Sequence, residues 1–162
     1  MSDHEKSDRS PPHGVFLSSI SFFDTAKLAH SAYDNGELNL LFNEPIYYLY
    51  CHTMELAMKG YLRAKGMSEK ELSRHPFGHS LLNLWQACLK RQLVMDEQSM
   101  VPTVIGKLDQ YTTGKYKFRY VRIGVMDLLS LDDVRTATTR LIEAVSPCIR
   151  SWLRSLDANP SQ

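Results

Sequence analysis

Apolar side chains recur at the three- and four-residue spacing of amphipathic helices in five stretches of the chain. The five predicted helices lie near residues 18–35, 45–66, 80–93, 99–111 and 131–156. Asn35 and Gly36 suit the end of the first helix, and Pro45 suits the first turn of the second. Pro147 is expected to kink the last helix or to divide it into two.

Strand patterns are nearly absent from the chain. The helical spacing fades over residues 111–128, which fit either a short strand or an extended loop. The connection over residues 67–78 is charged and contains Pro76, so we expect a surface loop. The predicted fold class is therefore all-α, an up-and-down four-helix bundle with one additional helix, about five helices in all.

Length and composition narrow the possible roles. A chain of 162 residues fits a single domain, which we expect over residues 18–156 between disordered tails at residues 1–17 and 157–162. The formal charge of +1 gives no global argument for nucleic acid or membrane as a partner. No stretch has the length and apolarity of a membrane span or a signal sequence, which predicts a cytoplasmic protein. Three cysteines lie inside apolar helical patterns and are expected to be reduced: Cys51, Cys88 and Cys148.

The second predicted helix carries four polar side chains on one face, namely His52, Glu55, Lys59 and Arg63. One interpretation is a solvated surface on which Glu55 and Lys59 form a weak ion pair four residues apart. The other interpretation puts this face in a groove or a dimer interface, where the charge pair is compensated and orients a ligand. Periodicity alone does not decide between them.

No motif of a known catalytic or metal site occurs. His75 and His79 flank Pro76 and Gly78, which keep them off a common helix face, so we expect no metal there. Capping of the third helix by His79 or Ser80 is the better interpretation. The sequence has no phosphate-binding glycine loop, no dinucleotide fingerprint and no nucleophile elbow, and we predict no cofactor.

Basic and aromatic side chains alternate over residues 115–122. The candidate ligand-binding residues in this segment are Lys115, Lys117, Arg119, Tyr120 and Arg122. Cations for phosphates and rings for stacking are what single-stranded nucleic acid or nucleotide sites use. A cation-rich loop that covers the end of the bundle is the alternative.

Three landmarks occur in a characteristic order: the sequence ELAMKGYL at residues 55–62, the sequence GHSL at residues 78–81, and Tyr111 followed by Arg119 and Tyr120. Together they resemble the HEPN domain family, whose name stands for higher eukaryotes and prokaryotes nucleotide-binding. The resemblance covers about residues 18–156. Two positions depart from the family pattern, because Ser80 stands where the family has Asp and Val121 where it has Pro.

The resemblance implies a helical bundle that is commonly a homodimer and is often paired with a minimal nucleotidyltransferase in toxin–antitoxin or defence systems. Catalytic members are metal-independent ribonucleases with an Arg and a His, four to six residues apart, near the last helix. No histidine lies there in this chain. Arg74 and His79 have a matching separation but lie between the second and third helices, so they are catalytic candidates only if the chain is an enzyme.

The sequence leads to one hypothesis and two alternatives. The leading hypothesis is a noncatalytic HEPN-like bundle that binds a nucleotide, an RNA or a protein partner, with His52, Glu55, Lys59 and His79 in a structural or interface role. The first alternative is a metal-independent ribonuclease. The second is a structural dimer or interaction module without affinity for nucleotides.

Overall fold

The computed structural model describes residues 10–96, 99–113 and 128–158. Its helices are α1 (Pro12–Asp34), α2 (Glu44–Ala64), α3 (Glu69–Leu72), α4 (Leu81–Lys90), α5 (Val101–Thr112) and α6 (Leu131–Ala158). These described ranges contain no strand, so the predicted all-α fold class is confirmed. None of the helices in them is long and apolar enough to cross a membrane.

Helix α2 is the centre of the bundle. It packs against α1, α4 and α6, and 12 of its 21 residues are buried. Its largest fully buried side chains recur every four residues: Ile46, Tyr50, Met54, Met58 and Leu62. This spacing produces one continuous apolar stripe, and the stripe forms the middle of the hydrophobic core. Because α2 has neighbours on several sides, some of its polar residues are enclosed as well.

The apolar spacing of the fourth predicted helix predicts a buried face, and this face is confirmed in α5. Its five members are all buried, namely Val101, Val104, Ile105, Leu108 and Tyr111. The face packs against α4 and α6. The spacing therefore identified both the helix and its orientation.

Helix α1 differs from its prediction in two ways. It begins at Pro12, six residues before the predicted start, so residues 12–17, assigned to a tail, are helical. The apolar spacing predicts a buried stripe of Phe22, Ala26, Ala29 and Tyr33, of which only Ala26 is buried. The buried residues in the middle of the helix are instead Ser19, Phe23, Ala26 and His30. His30 is tolerated inside because its Nδ1 lies 3.1 Å from the Tyr50 hydroxyl oxygen and its Nε2 3.2 Å from Asp34 Oδ2.

The predicted surface loop between α2 and α4 contains a helix that the sequence interpretation missed. Helix α3 has one turn, and a capping box fixes its start. Ser68 Oγ accepts a hydrogen bond from the Glu71 backbone N–H at 3.2 Å, and Glu71 Oε2 accepts one from the Ser68 backbone N–H at 2.8 Å. Leu72 is 2% exposed and anchors the turn to the core.

Helix α6 runs without interruption from Leu131 to Ala158, so Pro147 does not divide it.

All three cysteines are free thiols, as predicted. Burial raises the pKa of the thiols of Cys51, Cys88 and Cys148, which keeps them protonated and apolar.

Gly60 permits the close approach of α1 to α2. A Cβ atom there would lie 3.2 Å from Phe16 Cβ and 3.3 Å from both the Phe16 nitrogen and the Pro12 oxygen. The Gly60→Ala substitution should lower the free energy of unfolding by about 1 kcal/mol, because pushing α1 away costs more than the gain of about 1 kcal/mol in helix propensity. Urea denaturation followed by circular dichroism measures this.

The matched control is Gly106→Ala in the middle of α5. A Cβ at Gly106 would meet nothing within 4 Å. The control should therefore raise the free energy of unfolding by about 0.5 to 1 kcal/mol. Equal stabilisation by both substitutions would contradict the close packing at Gly60.

Candidate functional site

Glu55 is a buried carboxylate near the middle of α2. The helical period places it on one face with His52 one turn before and Lys59 one turn after. Glu55 is only 6% exposed, so the solvated-surface interpretation of this face is wrong. A carboxylate at this depth must be compensated by neighbouring charges or donors. The alternative interpretation, a groove or dimer interface in which the charge pair orients a ligand, stays a prediction.

Three basic side chains surround the Glu55 carboxylate. Lys59 Nζ donates to Oε1 at 2.7 Å. His79 Nδ1 lies 3.2 Å from both carboxylate oxygens. His52 Nδ1 lies 3.7 Å from Oε2, within ion-pair range when the imidazole is protonated. We call Glu55, His52, Lys59 and His79 the Glu55 cluster.

The pKa of Glu55 reflects these neighbours. Burial alone raises it, but hydrogen bonding with His52, the charge of Lys59 and hydrogen bonds from Lys59 and His79 outweigh burial and lower the pKa from 4.5 to about 2. Glu55 is therefore ionised at neutral pH. Because an ionised carboxylate only accepts hydrogen bonds, the His79 Nδ1 that contacts it carries a proton.

Aromatic rings hold His52 in place. The ring of Phe22 from α1 meets the imidazole edge-on, with the ring centres 4.4 Å apart. Tyr48, one turn earlier on α2, is stacked parallel to it at 5.9 Å. His52 therefore has little freedom to leave the Glu55 cluster.

His79 reaches the cluster from outside α2, and the residues after it are firmly fixed. Ser80 Oγ accepts from the Asn83 backbone N–H at 3.2 Å, so Ser80 is the N-cap of α4, one of the two capping residues predicted. Asp109 of α5 then accepts hydrogen bonds at 3.0 Å from both Ser80 Oγ and the Leu82 backbone N–H. These contacts fix the backbone that carries His79.

A pocket of about 520 Å³ adjoins the Glu55 cluster between the start of α1, the second half of α2 and α3. Its apolar wall consists of Pro11, Val15, Leu56 and Leu72. Its charged residues are Lys59 and Arg63 from α2 and Glu69 from α3, and serine hydroxyls complete the lining. Lys59 thus belongs to both the cluster and the pocket.

The two cations of the pocket, Lys59 and Arg63, are held by different contacts. The ammonium group of Lys59 has three donors, of which Glu55 takes one. Arg63 Nη2 donates to the Ser10 carbonyl oxygen at 3.0 Å, which ties the chain ahead of α1 to the end of α2. An apolar wall beside two cations suits an organic anion, whose charge meets the cations while its body packs on the wall.

The other predicted site residues do not assemble with the cluster. Arg74 and His75 are exposed on the loop after α3, whereas His79 is half-buried against Glu55. In the described part of the chain, no group of three or more His, Cys, Asp or Glu side chains is arranged so that it could hold a metal ion. The predicted ligand-binding residues Lys115, Lys117, Arg119, Tyr120 and Arg122 lie outside the described residues.

The contribution of α1 and α3 to the pocket could not be recognised in the sequence interpretation, because residues 12–17 were assigned to a tail and residues 67–78 to a loop.

Comparison with protein-family models, with curated proteins and with solved structures gives no match to the chain. The HEPN resemblance therefore stays a prediction.

The cluster makes stability depend on pH. The lowered pKa of Glu55 means that its ionised form stabilises the fold fully above pH 4.5, and that this contribution disappears as the pH falls towards 2. The Glu55→Gln substitution should therefore lower the free energy of unfolding by about 3 kcal/mol at pH 7. Urea denaturation of both proteins between pH 7 and pH 3 should show the difference shrinking below pH 5.

The control is Glu143→Gln. Glu143 is 58% exposed and pairs with Arg140 at 3.2 Å. Loss of this surface pair should change stability by less than about 0.5 kcal/mol. A difference between wild type and Glu55→Gln that is small, or that stays constant with pH, would mean that Glu55 is not a compensated buried charge.

Proposed function

We propose that this chain is a noncatalytic helical bundle that binds the phosphate group of a nucleotide or an RNA in the pocket beside the Glu55 cluster. The observation that carries the proposal is the lining of one pocket by both Lys59 and Arg63, next to a buried carboxylate that holds Lys59. Charge-assisted hydrogen bonds from a lysine and an arginine are the usual way in which proteins bind phosphate.

The buried carboxylate supports this role by fixing the position of the lysine. A surface lysine loses side-chain freedom when it orders around a ligand, and this lowers its contribution to affinity. Lys59 is already ordered, because its contact with Glu55 is short and its side chain is only 17% exposed.

The HEPN resemblance supports the same class of ligand. The basic and aromatic residues 115–122, which lie outside the described residues, have the side-chain types that bind phosphates and stack on bases. A homodimer and a nucleotidyltransferase-type partner are further expectations of the resemblance. The phosphate proposal depends on neither.

A second candidate, a metal-independent ribonuclease, is favoured by the contact between His79 and Glu55. A carboxylate that holds one ring nitrogen of a histidine orients the imidazole for proton transfer at the other. Arg74, the other catalytic candidate, is exposed on the preceding loop. Cleavage of RNA in the presence of EDTA, abolished by His79→Ala, would favour this candidate and contradict the noncatalytic proposal.

Substitution of the two pocket cations tests the phosphate proposal. Lys59→Gln and Arg63→Gln should each weaken binding of a fluorescent single-stranded RNA with a 5′-phosphate by about tenfold or more, because each removes a charge-assisted hydrogen bond. Fluorescence anisotropy measures the affinity, and circular dichroism confirms that the variants fold. Lys59→Arg should keep most of the affinity.

Lys90→Gln is the matched control. Lys90 is exposed at the end of α4, away from the pocket, so its loss removes the same charge without touching the site. Equal weakening by all three charge-removing substitutions would indicate nonspecific attraction. Unchanged binding in both pocket variants would refute the proposed site.

A further inference from the structure

The pocket contains a charge of the opposite sign to its two cations. Glu69, the first residue of α3, lines the same pocket as Lys59 and Arg63 but comes from a different helix. We propose that Glu69 selects a guanine base, so that the pocket takes a guanine nucleotide with its phosphate on Lys59 and Arg63. This inference rests on the proposed function.

Glu69 sits on a well-fixed piece of backbone. Glu69 lies between Ser68 and Glu71, the two residues of the capping box, and the buried side chain of Leu72 attaches the turn to the core. The backbone that carries Glu69 therefore keeps a defined position at the pocket.

The carboxylate of Glu69 is also available. Within the described ranges, Glu55 pairs with Lys59, Glu71 caps α3 and Glu143 pairs with Arg140, whereas the side chain of Glu69 forms neither a hydrogen bond nor an ion pair. A carboxylate in a pocket that otherwise suits anions repels an anion, and this weakens binding unless the ligand also donates hydrogen bonds to the carboxylate. A ligand that carries both a phosphate and hydrogen-bond donors meets this condition.

Guanine matches a carboxylate better than the other bases do. Its Watson–Crick edge presents two adjacent donors, the N1–H and the N2 amino group, which fit the two acceptor oxygens of one carboxylate. Adenine and cytosine present a donor beside an acceptor, which would face a carboxylate lone pair, and uracil presents one N–H between two carbonyls. Discrimination of this kind is strong, because a mismatched base leaves polar groups unpaired.

The apolar residues of the pocket suit the base. Leu56 and Leu72 lie in the same pocket as the three charged residues, and Val15 adds a further apolar contact from α1. A nucleotide carries its negative charge and its base edge at opposite ends, with a flat apolar ring face alongside. The pocket therefore offers a group of matching chemistry for each of these three parts of the ligand.

Isothermal titration of the full chain with 5′-GMP, 5′-AMP, 5′-CMP and 5′-UMP tests the inference. The wild type should prefer GMP over the other three by about tenfold or more. Glu69→Gln should lower GMP affinity by about tenfold and leave AMP affinity unchanged or slightly raised. Loss of a negative charge strengthens anion binding in general, so a fall for GMP alone cannot be a general electrostatic effect.

Glu37→Gln, an exposed carboxylate on the loop after α1, is the charge-matched control and should leave all four affinities unchanged. Equal affinities for the four nucleotides, or a GMP preference that survives Glu69→Gln, would overturn base selection while leaving the phosphate site in place if Lys59→Gln still weakens binding. Failure of every nucleotide and of the RNA to bind would overturn both proposals.

Discussion

The ionised carboxylate of Glu55 inside the bundle is the constraint on which the candidate site depends. A charge that is only 6% exposed must be compensated, and here the compensation comes from two parts of the chain. Lys59 and His52 lie on α2 itself, while His79 comes from the segment before α4. The same contacts that make the buried charge tolerable therefore join α2 to the start of α4 and order the lysine at the edge of the pocket.

The surrounding packing places the walls of the pocket. Gly60 lets the start of α1 approach the end of α2, and Arg63 binds the Ser10 carbonyl oxygen at the same place. The capping box of α3 and the buried Leu72 hold the opposite side. The resulting pocket combines two cations, one carboxylate and an apolar wall, and the proposed nucleotide site rests on this combination.

The helices that bury a regular apolar stripe were predictable, and the polar contacts between distant residues were not. Apolar spacing identified α5 with its complete buried face. The Glu55 and Lys59 pair was visible as a spacing of four, but its burial depends on His79, which lies 24 residues further along the chain. The structural roles of His30 and Asp109 were not predictable from the sequence, because their hydrogen-bond partners, Tyr50 and Ser80, lie 20 and 29 residues away along the chain. The spacing of Ser68 and Glu71 is that of a capping box and indicates the start of helix α3. The charged residues around it and Pro76 favoured the prediction of a loop instead.

The most direct test of this account is the pH titration of the Glu55 side-chain carbonyl carbon by nuclear magnetic resonance, with the resonance assigned by its absence in Glu55→Gln. A charge held by Lys59, His52 and His79 should titrate with a pKa of about 2. Unperturbed glutamates titrate at about pH 4.3. The chemical shift of Glu55 should therefore stay at its ionised value while the pH passes through that range. A midpoint at about pH 4.3 or above would mean that burial dominates over the compensating groups, and it would contradict the ordered cation on which the candidate site rests.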